Sequence, residues 1–403
     1  MRSYYCILLV VLLNVGCSPK SIKVINRASV QTQPFKQTIP YTTVKRVMIV
    51  KMKLKNNRTY RFLWDTGAAA TVINRKVANE LGLKTVSSMK VVDSRKTSRR
   101  QGIVNLGKVE IAGVKFKNIA AFVIDFPEES VISCYADGGI IGANIISRCN
   151  WTIDYQTQQL TFTNSPFNLH TNTQAIPFKT SFSGKMYFQA QLMGKTIQNV
   201  LFDSGSSGGL DLSLKFGLKT GLLQQFPSNK SIDGTTQGIY GTRIDTTYLS
   251  VIDSLKLGKQ MQSSIPVEFG KLSKTKVGNR VLQNFKIHID FAHKRMLLEP
   301  RNAQPYLWIT FGVLFKRASN GKVSIGSLFQ PSDAAQKGLK VGDEVVAIDD
   351  QPVKTFFKDK CHFYDWQFKL NQLDQIKLTL KNKQQIVLQQ RPLALKFWQH
   401  TND

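Results

Sequence analysis

The sequence has few cysteines and few acidic residues. Five cysteines occur in 403 residues, with no Cys-x-x-Cys motif and no Cys/His cluster, which argues against a structural zinc site. Aspartate and glutamate number 26 against 55 lysines and arginines, so the formal charge is +29. No known nucleic-acid-binding motif accompanies this charge, and nucleic acid is not an expected partner. The basic balance instead suits an anionic membrane, acidic substrates or simple solubility.

The N-terminus lacks an apolar run long enough to span a bilayer. The run from Cys6 to Leu13 follows a single arginine and suits the apolar region of a secretory signal. Its end, "LNVGC", resembles a bacterial lipoprotein signal. That resemblance implies a signal at 1–17, a lipid anchor on Cys17 and a membrane-anchored protein of the cell envelope that faces the periplasm. An ordinary cleaved signal peptide is the alternative.

Three cysteines remain beyond the signal, namely Cys134, Cys149 and Cys361. In an oxidising compartment Cys134 and Cys149 could form a disulfide. The spacing alone does not show that they meet, so this pairing is an expectation that rests on the compartment.

The chain is long enough for two to three domains, and its hydrophobic fraction of 42% supports real cores. Residues 18–43 are polar and irregular, which predicts a tether between the membrane and the first domain. From Val44 onward, strand-like runs separated by turn residues predict a mainly β fold. One short helix is predicted at 74–82, with Gly82 as its C-cap.

An internal repeat runs through this β region. The stretches "YRFLWDTGAAATVI" and "QNVLFDSGSSGG" each deliver an aspartate, Asp65 and Asp203, at the end of an apolar run. Hydrophobic-Gly steps at Gly142 and Gly278 follow the two aspartates by 77 and 75 residues, and an Ile-Asp-aromatic step follows each glycine 12 residues later. Three landmarks in register indicate two copies of one β unit.

We therefore predict a first unit at 44–164 and a second unit within 165–300. The second repeat starts at 176, after the linker "NSPFNLHTNTQ". The stretch 301–395 has a different pattern of strands, a short helix and a Gly-Asp turn, which predicts a separate α+β module.

Two strand-tip aspartates, one from each copy, suggest a pair of carboxylates that face each other across a pseudo-twofold axis. Two carboxylates a few Å apart share one proton, because they cannot both ionise easily. One carboxylate then activates a water as general base, and the other acts as general acid toward a carbonyl. The hydroxyls of Thr66 and Ser204 can bond across to the opposite loop. Gly67 and Gly205 let the backbone turn tightly and aim N–H groups at the carboxylates.

These motifs, together with the two hydrophobic-Gly steps, resemble those of the retropepsin-like aspartic peptidases over about 250 residues. The resemblance implies two pseudo-symmetric β-barrel lobes and an endopeptidase whose catalytic residues are Asp65 and Asp203. It implies that Gly142 and Gly278 pack behind the aspartates. It also implies a protein or peptide substrate, a water nucleophile, and neither metal nor cofactor.

The two motif loops differ after their glycines. A serine hydroxyl at Ser206 could donate to the neighbouring carboxylate and stabilise its charge, whereas Ala68 cannot. We therefore expect the shared proton to reside more on Asp65.

The resemblance implies a hairpin flap over the cleft, for which 92–103 and 233–243 are the candidates. Tyr240 lies in the second candidate. The first carries four basic residues that suit acidic peptides or lipid headgroups unless they are simply solvated: Arg95, Lys96, Arg99 and Arg100.

The stretches "TFGVLF" and "GLKVGDEVVAID" in the C-terminal module resemble a PDZ domain. The resemblance implies binding of peptide C-termini by strand addition, with the carboxylate held by backbone N–H groups of Phe311, Gly312 and Val313. The helical wall of this groove would fall at 358–368. A module that only packs against the peptidase is the alternative.

Two rival functions are weaker. "GSSGG" fits the Gly-x-Ser-x-Gly motif with Ser207 as nucleophile, but that motif needs a following helix in a sheet that alternates with helices, and here strands follow strands. The second rival is an exported binding or scaffold protein in which the aspartate pair, the dyad of Asp65 and Asp203, is inactive. Both aspartates, both hydroxyls and both glycines are nevertheless present.

Overall fold

The computed structural model describes residues 19–94, 96–126, 130, 132–167, 175–232, 236–243, 246–272, 274–301, 308–357, 359–370, 372–393 and 396–397. The predicted signal with Cys17 lies outside these ranges, as does Arg95. Within them, no helix combines the length and the apolar character that crossing a membrane requires.

The fold is mainly β, as predicted. Elements are numbered in chain order. Up to residue 167 they are α1 (Pro19–Asn26), β1 (Ser29–Val30), β2 (Lys36–Pro40), β3 (Thr42–Val44), β4 (Val47–Lys53), β5 (Thr59–Trp64), β6 (Thr71–Asn74), α2 (Arg75–Glu80), β7 (Thr85–Val92), β8 (Ser98–Asn105), β9 (Val109–Ile111), β10 (Val114–Lys117), β11 (Ala120–Ile124), α3 (Ile132–Tyr135), β12 (Gly139–Ile141), α4 (Ala143–Ile146), β13 (Asn150–Asp154) and β14 (Gln159–Thr163).

The next stretch, to residue 301, repeats this alternation of strands and short helices. It contains β15 (Ile176–Pro177), β16 (Lys179–Thr180), β17 (Met186–Leu192), β18 (Lys195–Phe202), β19 (Leu210–Ser213), α5 (Leu214–Lys219), α6 (Leu222–Gln225), β20 (Pro227–Ile232), β21 (Thr236–Gly238), β22 (Gly241–Arg243), β23 (Thr247–Ile252), β24 (Leu255–Leu257), β25 (Gln260–Gln262), β26 (Ile265–Gly270), β27 (Lys276–Val277), α7 (Asn279–Leu282), β28 (Phe285–Asp290) and β29 (Arg295–Pro300).

The C-terminal stretch carries one longer helix, α9, among its strands. It contains β30 (Ile309–Thr310), β31 (Val313–Arg317), β32 (Val323–Gln330), α8 (Asp333–Gln336), β33 (Glu344–Ile348), β34 (Gln351–Pro352), a 3₁₀ turn (Val353–Thr355), α9 (Lys360–Leu370), β35 (Gln375–Leu380), β36 (Gln385–Gln389), β37 (Arg391–Pro392) and β38 (Lys396–Phe397).

The two units pair their strands in the same way. Neighbouring strands run β4–β5–β12–β6–β11–β8–β7 in the first unit and β17–β18–β27–β19–β26–β23–β20 in the second. In each series the third strand is parallel to the second and antiparallel to the fourth, and the fifth is parallel to the fourth. Each strand of the first series therefore has a counterpart in the second.

A six-stranded antiparallel sheet joins the units, in the order β15–β29–β28–β13–β14–β2. Its central pair brings Trp151 of β13 opposite Ile289 of β28. Trp151 stacks on Phe162 at 4.8 Å between ring centroids and meets Trp64 edge-on at 5.4 Å. These rings are fully buried and belong to one apolar core that extends through both units. Burial of this core fixes the relative position of the units.

The predicted helix near 74–82 is α2. Asn74 caps its start, since the Asn74 side chain accepts a hydrogen bond from Lys76 N–H. The helix ends before Gly82, whose φ of +58° is the left-handed conformation that glycine adopts without strain.

The expectation of an irregular tether at 18–43 is wrong. Within this range lie α1 and the strands β1, β2 and β3, and β2 is the edge strand of the six-stranded sheet. Ile25 of α1 is fully buried, and the Ser21 hydroxyl lies 2.7 Å from that of Ser87 on β7. The range is polar because only one face of each short element is covered.

The C-terminal module has its own apolar core, between α8, α9 and the sheet of β31, β32, β33, β35 and β36. The module is also joined to both units. Strand β32 pairs antiparallel with β20 of the second unit, from Lys230↔Gln330 to Ile232↔Leu328. Tyr135 of α3 in the first unit donates a hydrogen bond to Asp365 of α9.

The expected disulfide between Cys134 and Cys149 is wrong. Cys134 is bonded to Cys361 of α9, at a sequence separation of 227 residues, and Cys149 is a buried free thiol. Cys149 belongs to the main core, whereas Cys134 packs against the core of the C-terminal module. The two cysteines therefore face different apolar clusters.

We expect peptide mapping without reductant to find Cys134 and Cys361 in one cross-linked fragment and Cys149 as a thiol. Reduction should lower the free energy of unfolding by about 2–4 kcal/mol, because the bond closes a long loop in the unfolded chain. Thermal unfolding with and without reductant measures the effect. A Cys134→Ser/Cys361→Ser variant is the control and should not respond to reductant. An identical melting temperature of the parent in both conditions would contradict this account.

Candidate active site

Asp65 and Asp203 lie at the ends of two equivalent strands. The buried apolar runs before them, which end in Trp64 and Phe202, hold β5 and β18 in the interior of their sheets. The backbone N–H of Asp65 donates to Ile141 O, and that of Asp203 donates to Val277 O, both at 3.0 Å. Each aspartate is thus fixed by the strand that carries the hydrophobic-Gly step.

The two loops interlock through Thr66 and Ser204. Thr66 N–H donates to the Ser204 hydroxyl and Ser204 N–H donates to the Thr66 hydroxyl, each at 3.0 Å. The Thr66 hydroxyl donates to Phe202 O at 2.8 Å, and the Ser204 hydroxyl donates to Trp64 O at 3.1 Å. Both residues are buried, so neither loop can satisfy these groups without the other unit.

The interlocked loops bring both carboxylates to one place. A Cβ built on Gly67 would lie 2.5 Å from Asp203 Oδ1 and 3.1 Å from Asp65 Oδ1. A Cβ on Gly205 would lie 2.3 Å from Asp65 Cγ. Any side chain at Gly67 or Gly205 would therefore collide with the opposite carboxyl group, and glycine is required because of this close approach.

Gly142 and Gly278 pack directly behind the aspartate loops. A Cβ on Gly142 would lie 2.4 Å from Ala70 C, and one on Gly278 would lie 2.5 Å from Gly208 O. Gly278 N–H donates to Gly209 O at 2.8 Å. The absence of side chains at these two glycines lets the neighbouring strands support the loops at backbone distance.

The surroundings of Asp65 raise the pKa of its carboxyl group. Burial is the largest cause and the nearby charge of Asp203 is the second; together they raise this pKa from 3.8 to about 7. Two backbone hydrogen bonds oppose the rise, from Gly67 N–H at 2.7 Å and Ala68 N–H at 3.1 Å, both to Asp65 Oδ1. Asp65 is therefore suited to hold a proton near neutral pH.

The group that sets Asp203 apart from Asp65 is a lysine rather than the expected hydroxyl of Ser206. The Ser206 hydroxyl accepts a hydrogen bond from Gly208 N–H at 3.3 Å, and Gly205 N–H donates to Asp203 Oδ1 at 3.1 Å. The charged neighbour of Asp203 is Lys276, whose Nζ lies 3.2 Å from Asp203 Oδ2. Lys276 was not among the predicted site residues, although the aligned repeat offers a signal, since the first copy has an isoleucine before its own Ile-Gly step.

The two flap candidates contact each other. In the first candidate, Val92 ends β7 and residues 98–103 lie in β8 of the same hairpin, and in the second candidate Tyr240 lies at the tip of the β21–β22 hairpin. Arg95 and residues 233–235 lie outside the described residues. Tyr240 is buried, its hydroxyl donates to Val91 O at 3.4 Å, and the Arg99 guanidinium lies 5.1 Å from its ring centroid. The tip therefore shares one apolar cluster with Ala68, next to Asp65.

Two of the four basic residues in the first flap candidate contact other residues of the two hairpins. Arg99 rests on the Tyr240 ring, and Arg100 donates a hydrogen bond to the Ser88 hydroxyl at 3.2 Å. Both side chains therefore have partners within the protein. Arg95 lies outside the described residues.

Of the three residues predicted to hold a peptide carboxylate, Phe311 and Gly312 lie just before β31 and Val313 begins it. The Phe311 side chain is buried in the core of the C-terminal module, and Gly312 has a φ of +85°. Gly312 N–H donates to the Thr310 hydroxyl at 3.1 Å. Helix α9 faces β31, and Gln367 Nε2 of this helix donates to Phe315 O at 2.9 Å. A peptide that pairs with β31 would have to replace this last bond.

The alternative serine nucleophile lacks its required context. Ser207 is exposed and is followed by strand β19 rather than by a helix. The strand-turn-helix geometry that the Gly-x-Ser-x-Gly motif needs is therefore absent at this loop.

Comparisons with known proteins bear on the first unit. A family model described as "Aspartyl protease" matches residues 50–145, which include Asp65 and Gly142. A retropepsin-like aspartic protease from Rickettsia conorii is among the solved structures that match, at 18% identity and a TM-score of 0.24, over 33% of this chain and 95% of that one. No curated protein matches the chain. The family match supports an aspartic protease fold for the first unit and suggests protease activity.

The raised pKa of Asp65 predicts a change of stability with pH. The carboxyl ionises near 3.8 in the unfolded chain and near 7 in the folded protein. Between these values the folded state binds more protons, so this group makes the free energy of unfolding fall as the pH rises from about 4 to about 7. Asp65→Asn cannot titrate and should lose less stability over that window.

Urea unfolding at several pH values measures this difference. The exposed Asp253 gives a matched control, Asp253→Asn, which should follow the parent. Parallel pH dependences of the parent and Asp65→Asn would show that the pKa of Asp65 is not raised.

Proposed function

We propose that the protein is an exported aspartic endopeptidase in which Asp65 and Asp203 activate a water molecule. The observation that carries the proposal is the reciprocal bonding of Thr66 and Ser204, which holds two carboxylates from pseudo-symmetric units at one point. The two units would act as the two lobes of the peptidase, and the substrate would bind between them.

The proposed reaction follows from the proton that the pair shares. One carboxylate takes a proton from water as the water oxygen bonds to the peptide carbon, and the other gives its proton to the carbonyl oxygen. The tetrahedral intermediate then loses its amine, which receives the first of these protons as the C–N bond breaks. A hydroxyl proton of the intermediate returns to the other carboxylate and restores the starting state.

The hairpins would have to separate to admit a substrate. Tyr240 and Val91 contact each other, and the cluster that contains Tyr240 reaches Ala68. We infer that β7–β8 and β21–β22 act as a pair of flaps over the cleft. Their closed contact also favours the alternative function, an exported binding or scaffold protein in which the dyad is idle.

Export and anchoring are further parts of the proposal. The disulfide between Cys134 and Cys361 supports an oxidising compartment, because such bonds persist outside the cytosol. A lipid on Cys17 would anchor the protein in the cell envelope facing the periplasm, and the net charge of +29 would attract anionic headgroups.

The activity is tested by incubating the soluble chain, starting after Cys17, with a peptide library between about pH 4 and pH 8. We expect cleavage by the parent and a loss of at least about 1,000-fold in Asp65→Asn and Asp203→Asn, because each removes a proton-transferring group. Asp253→Asn is the matched control and should cleave like the parent. Cleavage that survives in both dyad variants, or that a fluorophosphonate abolishes, would refute the dyad. Peptide binding without cleavage would favour the scaffold function.

We propose in addition that the C-terminal module binds peptide C-termini beside β31. A peptide added to this strand would present its carboxylate to the backbone of Phe311, Gly312 and Val313. The left-handed turn at Gly312 supports the proposal, since it lets the loop curve around a small anion.

Amidation tests this binding. The library peptide with the highest affinity is measured by calorimetry with a free and with an amidated C-terminus, and amidation should weaken binding by at least about tenfold, since it removes the charge. Gln367→Ala should strengthen binding, because it frees the carbonyl of Phe315. Equal affinity of the free and amidated peptides would indicate that the module only packs against the units.

A further inference from the structure

A row of three charged residues crosses the sheet of the second unit beside Asp203. Lys276 of β27 pairs with Asp211 of β19, and Asp211 pairs with Glu268 of β26. Directly paired residues of neighbouring strands project from the same face of a sheet. The three side chains therefore form one line, with Leu201 and Leu249 as its apolar ends.

The first unit has the same row without charge. The equivalent pairings join Ile140 of β12 to Val72 of β6 and Val72 to Phe122 of β11. These three residues are buried in one apolar cluster. Because the strand pairing is identical, lysine, aspartate and glutamate replace isoleucine, valine and phenylalanine in one copy only. The difference cannot be a general requirement of the fold.

Lys276 is the member of the row that reaches the dyad. Its Nζ lies 3.2 Å from Asp203 Oδ2 and 3.4 Å from Asp211 Oδ2. The side chains of Lys276, Asp203 and Asp211 are only 13%, 11% and 10% exposed, respectively. At this burial an ion pair is weakly screened by solvent, so the ammonium acts strongly on the carboxylate that it touches.

We propose that Lys276 is the fixed counter-ion of Asp203 and makes the two aspartates unequal, so that Asp203 is the base and Asp65 the acid. The inference rests on the proposed peptidase function and deepens it. Lys276 is a positioning residue, because it acts on the substrate only through Asp203. Asp203 holds the negative charge and takes the proton of water, whereas Asp65 holds the shared proton and gives it to the carbonyl oxygen.

Four acidic groups determine the electrostatics around Lys276. Asp203 follows β18, Asp211 stands on β19, Glu268 stands on β26, and Asp65 faces the row from the first unit. The raised pKa of Asp65 agrees with the proposed order of ionisation. Lys276 also lowers that pKa somewhat, because its charge favours every anion in the site. Loss of the lysine charge should therefore raise the pKa of Asp65 further and remove the attraction that keeps Asp203 charged.

The pH–rate profile for a cleaved library peptide tests the proposal. Lys276→Met should move the acidic limb of the profile upward by about 1–3 pH units and should move the basic limb upward as well. Lys276→Arg retains the charge and should restore both limbs toward the parent. Asp211→Asn removes a competing carboxylate and should move the limbs downward. The exposed Lys259 provides a matched control, and Lys259→Met should leave the limbs in place.

Direct titration separates this inference from the proposed function. In protein labelled with ¹³C at the aspartate carboxyl groups, the dyad of Lys276→Met should titrate at higher pH than that of the parent, whether or not the parent cleaves a peptide. A parent that cleaves nothing refutes the peptidase while the titration still decides the inference. The inference is overturned if the pH–rate limbs and the carboxyl titrations of Lys276→Met coincide with those of the parent. If Lys276→Met does not fold, an upward shift in Asp211→Asn overturns it instead.

Discussion

The structure depends on the reciprocal hydrogen bonds between Thr66 and Ser204. Each residue gives its hydroxyl to a backbone group of the other unit, and these bonds are buried. Buried polar groups of this kind are satisfied only when both units are in register. The six-stranded sheet and the apolar core shared by both units supply that register, so the carboxyl groups of Asp65 and Asp203 meet because the whole fold holds the two loops together.

The parts outside the two units contact the hairpins or the strands next to them. Helix α1 lies against β7 of the first hairpin, and β32 of the C-terminal module pairs with β20, which leads into the second hairpin. The disulfide from Cys134 to Cys361 ties the same module to the first unit. The C-terminal module is thus joined to both units near the elements that would have to move for a substrate to enter. In the proposed peptidase, peptide binding by the module and opening of the cleft would share these connections.

The sequence predicted the local motifs and, because the motifs repeat, the approach of the two aspartate loops, but it did not predict the other contacts between distant residues. The two motifs, the glycine steps and α2 could be predicted because short-range patterns of apolar and turn residues define them. The partner of Cys134 could not, since Cys361 is remote in sequence and only the packing of α9 brings it near. The polar composition of 18–43 concealed α1, which needs only its one buried face. Lys276 was missed because a charged residue in a strand is ordinary until its partners across the sheet are known.

Everything proposed for the protein requires that Asp65 and Asp203 form one site. The most direct measurement is a crystal structure of the soluble chain with a peptide that carries a statine-type hydroxyl in place of the scissile bond. We expect this hydroxyl to lie within hydrogen-bond distance of both carboxylates, with the two hairpins over the peptide and Lys276 still paired with Asp203. A peptide bound elsewhere, or one that contacts neither aspartate, would contradict the account.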